Sequence, residues 1–112
     1  MTDAPLDLLK GTLDILILKT LSRGPMHGYG ISRYLRAATD EAFQVQEGAL
    51  YPALRRLEQR DLLSARWETT DTGRQAKVYA LTAAGEQELR RGISSWHGYV
   101  DAMARVLGGV RP

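Results

Sequence analysis

The chain has no cysteine in its 112 residues, so disulfide staples and thiolate metal sites are excluded, and the composition suits a reducing, cytoplasmic setting. Net charge is also scarce: fifteen basic against thirteen acidic residues leave +2, too little for overall charge to announce a nucleic-acid partner. Histidine occurs twice, at His27 and His97, too far apart in sequence to suggest a metal pair, and neither metal nor cofactor is called for. The longest apolar stretch, Leu6 to Leu21, is broken by Asp7, Lys10, Asp14 and Lys19, which excludes a membrane span or leader and leaves a buried amphipathic helix. No nucleophile–base pair or carboxylate pair stands at a useful spacing, which argues against an enzyme. Internal repeats and low-complexity segments are likewise missing.

What is present is ordinary globular composition, 44% hydrophobic and 25% charged, in a length that supports one modest core. Arginine makes up twelve of the fifteen basic residues, and its planar fork suits phosphate and guanine.

Apolar periodicity predicts a first helix from Leu6 to about Ser22, with Leu9, Leu13, Leu16, Ile17 and Leu21 on one stripe. Leu8 and Ile15 lie on another side, and a partner subunit would cover them. Arg23-Gly24-Pro25 stops this helix. A second runs from about His27 to Ala38, with Ile31, Tyr34 and Leu35 inward. After a loop over Thr39 to Gln46, Leu50, Leu54 and Leu57 define a third helix, with Pro52 expected in or near its first turn. Leu62 to Thr70 and Gln75 to Leu81 read as two strands joined by Thr70-Asp71-Thr72-Gly73, a hairpin rimmed by Arg66, Arg74 and Lys77. Thr82 is the expected N-cap of a last helix whose Leu89, Ile93, Trp96, Val100, Met103 and Leu107 follow a heptad seam. Gly92 and Gly98 inside it suggest close backbone approach or a bend.

The element order describes a mainly α (α+β) fold: a winged helix-turn-helix with a two-stranded β-wing and a long C-terminal dimerisation helix. Residues 1–82 would form the DNA-binding domain and 83–112 the dimerisation helix.

Three blocks sharpen this plan. They are Leu9-Lys10-Gly11-Thr12-Leu13 with Gly24-Pro25-Met26-His27-Gly28-Tyr29, then Glu47 to Glu58 (EGALYPALRRLE), then Gly73-Arg74, Lys77-Val78-Tyr79 and Leu81-Thr82-Ala83-Ala84-Gly85. In that order they resemble the PadR family, in its shorter branch with a single C-terminal helix. The resemblance implies a homodimeric repressor on an inverted-repeat operator, often released by a small molecule. Two departures stand out: Gln75 and Ala76 replace a basic run after the wing glycine, and Asp61 replaces a helix-ending glycine.

The candidate contacts to double-stranded DNA are Gln46, Ala49, Tyr51, Arg55 and Arg56 on the third helix, His27 and Tyr29 at the start of the second, and Arg74 and Lys77 on the wing. The candidate dimer contacts are Leu8, Ile15 and the six seam residues. Trp96, in mid-seam, would meet its symmetry mate and could stack on a planar aromatic effector. The alternative from another class is a winged-helix protein-interaction module that does not bind DNA, supported by the thinned wing and small net charge.

Overall fold

Residues 11–108 are described in a computed structural model of the chain. The element order is α1 (Thr12–Leu21), β1 (Met26–His27), α2 (Gly28–Ala38), α3 (Glu47–Gln59), β2 (Leu63–Thr69), β3 (Gln75–Leu81) and α4 (Ala83–Leu107). Leu8, expected on the second face of the first helix, lies outside the described residues. The described helix begins at Thr12: Gly11 before it stands at φ 86°, a left-handed conformation open to glycine, and the earlier part of the expected span lies outside the described residues.

The apolar spacings meet in one core. Ile17, Leu18 and Leu21 of α1, Ile31 and Leu35 of α2, and Leu50, Leu54 and Leu57 of α3 bury against Leu63 and Tyr79 of the sheet and Leu89 of α4. The polar Thr20, almost fully buried, donates its hydroxyl to the Leu16 carbonyl at 2.7 Å, so its burial leaves no unsatisfied group.

The expected hairpin is there, in antiparallel register from Leu63↔Leu81 to Thr69↔Gln75. A third strand joins it: β1 pairs with β3 through Met26↔Tyr79 and His27↔Val78, giving the order β1-β3-β2. Two residues are too few for alternation to show, but their pairing ties the start of α2 to the base of the wing.

Helix ends follow backbone chemistry. Pro52 sits in the second turn of α3 rather than the first, and its missing N–H leaves the Gly48 carbonyl without the usual donor four residues on. At the other end of α3, Asp61 takes the left-handed position at φ 61°, and Leu62 N–H closes on the Leu57 carbonyl at 3.0 Å. Thr82 caps α4 as expected, accepting from Gly85 N–H at 2.9 Å, and donates to the Asp61 carbonyl at 2.8 Å. Among the described residues no helix is long and apolar enough to cross a membrane.

Gly85 packs where a side chain has no room: a Cβ there would collide with the Leu62 carbonyl oxygen and stand 2.6 Å from Leu81 Cδ1. Gly85→Ala is expected to destabilise the fold by about 1–3 kcal/mol through overpacking. Urea unfolding measures this, and an unchanged midpoint would show that α4 shifts freely at its start.

Candidate nucleic-acid interface

Because Leu50, Leu54 and Leu57 are at most 1% exposed, the opposite side of α3 faces outward. Gln46, the extended N-cap residue, and Ala49, Tyr51, Arg55 and Arg56 are all exposed. The first turn of α3 therefore offers free backbone N–H groups and the positive end of the helix dipole to solvent.

The start of α2 lies beside it. His27 is the extended N-cap residue and makes no side-chain cap bond, and Tyr29 stands 67% exposed. Gly28 between them is buried because Tyr51 covers it: a Cβ on Gly28 would lie 2.8 Å from Tyr51 Cε1 and 2.9 Å from the hydroxyl oxygen. The missing side chain is what lets the Tyr51 ring bridge the two helices.

The wing completes the surface. Its tip is closed by Gly73 N–H to the Thr70 carbonyl at 2.9 Å and Thr70 N–H to the Arg74 carbonyl at 2.7 Å, with Gly73 at φ 82°. A groove of about 880 Å³ runs between the wing, α3 and the start of α2. Into it come His27, Tyr29, Tyr51, Arg55, Arg74 and Lys77, six candidates from separate parts of the sequence. Gln46, Ala49 and Arg56 do not line it.

Two of the cations are engaged. Arg56 donates to Asp14 of α1 at 2.8 Å, which holds α3 against α1. Lys77 donates to Glu58 at 3.0 Å, with its ammonium 5.6 Å from the Tyr79 ring centroid and 5.9 Å from that of Trp67. On the wing rim, Arg66 bonds to Glu68 of its own strand at 2.7 Å. Arg55 and Arg74 have no carboxylate partner among the described residues. Burial raises the pKa of the Tyr79 hydroxyl above its ordinary value, Lys77 opposing and Glu58 reinforcing the shift, so this phenol stays protonated throughout the neutral range.

The sequence reading missed Arg33, Trp67, Thr70 and Thr72, which also line the groove. Arg33 lies one helical turn beyond Tyr29 with its guanidinium 5.6 Å from that ring, a spacing visible in the sequence. Trp67 continues the alternation of Leu63 and Ala65 but is 65% exposed, because β2 has run past the core by that point.

The seam of α4 divides in two. Leu89 is buried in the chain's own core and Ile93 packs against it, whereas Trp96, Val100 and Met103 are about 40% exposed and Leu107 is 72% exposed. Ile15 is met within the chain: its Cδ1 would lie 2.7 Å from a Cβ on Gly92, so Gly92 marks a close approach of α1 and α4. Gly98 has open space around it. The Trp96 and Tyr99 rings stack at 5.8 Å beside a groove of about 550 Å³ that Ile15 and Gly92 also line. No group of three or more His, Cys, Asp or Glu that could hold a metal occurs among the described residues.

Residues 17–91 match the sequence pattern of the Transcriptional regulator PadR-like family. The chain belongs to this family. It is similar to a PadR family transcriptional regulator from Eggerthella lenta, whose crystal structure superposes with a TM-score of 0.76 at 33% identity, covering 88% of this chain and 83% of that one. The negative transcriptional regulator PadR of Bacillus subtilis is 30% identical over 77 residues, 69% of this chain and 42% of that protein. The crystal structure of Bacillus subtilis PadR in complex with operator DNA superposes with a TM-score of 0.69 at 28% identity, over 78% of this chain and 48% of that chain. The present chain thus spans less than half of that longer PadR. PadR-like members are transcriptional regulators, and the mixed α+β winged-helix fold is theirs.

The contact between Gly28 and Tyr51 is open to test in this PadR-like chain. Gly28→Ala alone is expected to lower the melting temperature and shift the Tyr51 ring resonances, and to have little effect in a Tyr51→Ala background. Equal losses in both backgrounds would show that some other neighbour crowds position 28.

Proposed function

We propose that the chain is a cytoplasmic, sequence-specific DNA-binding repressor that acts as a homodimer on an inverted-repeat operator. The observation that carries this reading is the convergence of His27, Tyr29, Tyr51, Arg55, Arg74 and Lys77 in one groove beside the exposed first turn of α3. The operator complex of the Bacillus subtilis relative supports it.

In this reading α3 enters the major groove, with Gln46 and Ala49 at base edges and Arg55 and Tyr51 at the groove wall. The open start of α2, with His27 and Tyr29, receives a backbone phosphate, and Arg74 holds the flanking backbone. Arg56 reaches DNA only by releasing Asp14, so its main service is to seat α3. The exposed apolar strip of α4 from Trp96 to Leu107 supports a two-fold seam, which would set two copies of α3 about one helical turn, roughly 10 base pairs, apart. The stacked Trp96 and Tyr99 at the edge of that seam fit a planar aromatic effector that loosens operator binding.

Two experiments test this. Titrating purified protein against the DNA upstream of its own gene should give binding that weakens steeply with salt, and Arg55→Ala should lower the log–log salt slope by about 1, one phosphate contact. Salt-independent or absent binding would favour the protein-interaction module instead. For the assembly, Trp96→Asp or Val100→Asp should yield monomers by light scattering, and a persisting dimer would move the interface off α4.

A further inference from the structure

We propose that Lys77 is a positioning residue of this surface: through Glu58 its ammonium latches the wing to α3 and fixes the angle between hairpin and helix. The proposal deepens the DNA-binding reading and takes Lys77 out of the set of phosphate contacts.

The starting point is an awkward charge. Glu58 is the one acid among the residues that line the groove, where Arg33, Arg55, Arg74 and Lys77 supply the cations. A carboxylate on a wall meant for phosphates repels them, so its placement calls for a compensating use. That use is visible in the geometry. Glu58 Oε1 accepts from Lys77 Nζ at 3.0 Å, and both side chains are about one-third exposed, whereas the cation of each of the other cross-element pairs, Arg56 with Asp14 and Arg60 with Glu88, is 56% exposed. Lys77 is also held over two rings, at 5.6 Å and 5.9 Å, so its position is set from three sides.

The rung it occupies matters. Lys77 faces Trp67 across the hairpin, one rung pair beyond Tyr79 with Ala65. Tyr79 is buried and Trp67 is not, so the strands leave the core between these rungs. A two-stranded hairpin beyond a core is marginal in its orientation. The pair with Glu58 is therefore placed where the wing first needs an anchor, and it joins the wing to the helix whose angle must match.

Lys77→Met, which keeps most of the alkyl stem over the rings, and Glu58→Gln separate a latch from a phosphate contact. In hydrogen exchange without DNA, both variants should speed exchange of the wing amides near Trp67 and Lys77 by roughly 3- to 10-fold, leaving the Leu54–Leu57 amides of α3 unchanged. Wild-type protection in either variant overturns the latch. With operator DNA, each variant should weaken binding by a similar roughly 3- to 10-fold, the double variant no further, with an unaltered salt slope. A Glu58→Gln variant that binds more tightly, or a Lys77→Met variant whose slope falls by about 1, would make Lys77 a phosphate contact and reject the proposal. Wild-type protein that binds no DNA defeats the functional reading alone, and the exchange experiment still decides the latch.

Discussion

Everything on the outward surface depends on three leucines facing inward. Leu50, Leu54 and Leu57 hold α3 in the core with almost no exposure, and a helix pinned along one stripe has only one side left to show. Burial of this kind is not directional, so the leucines alone would let α3 slide or roll. Polar contacts remove that freedom. Arg56 ties α3 to α1 through Asp14, Tyr51 rests in the gap left by Gly28, and Glu58 meets Lys77 on the wing. Hydrophobic burial supplies the free energy, and these side contacts supply the angle.

The way charge is distributed explains how so nearly neutral a chain can offer a cationic surface. Acids sit against several of the arginines that face away from the groove: Glu41 on Arg36, Glu68 on Arg66 and Glu88 on Arg91. Exposed pairs of this kind add little stability. They do lower the positive field elsewhere on the molecule. Arg55 and Arg74 keep theirs at the groove, so local potential and net charge part company.

Much of this was legible in the sequence, for reasons that differ by element. Leu50, Leu54 and Leu57 announced α3 because three-and-four spacing is local, and Thr82 announced the start of α4 because a cap acts on the residue three positions on. The Met26–His27 strand could not be seen, since its partners Tyr79 and Val78 lie some fifty positions away. Arg56 with Asp14 and Lys77 with Glu58 were hidden for the same reason: each pair is made by folding and leaves no trace in spacing. Asp61 showed only as a residue at odds with the family pattern, although its backbone takes the glycine-like position all the same. The heptad in α4 was visible as one seam, but periodicity does not say which covering surface each turn meets. Leu89 and Ile93 found theirs inside the chain.

The close approach at Gly92 gives α4 a mechanical character. Ile15 presses on the helix backbone there, and about fifteen residues, roughly 22 Å of helix, extend beyond that point. The contact works as a fulcrum with a long arm. A tilt of about 10° at Ile15 carries the end of such an arm by roughly 4 Å, comparable to the spacing of one base pair. A substitution that wedges apart α1 and α4 would thus act with leverage, away from the groove that holds Arg55 and Arg74 and without touching a single basic residue.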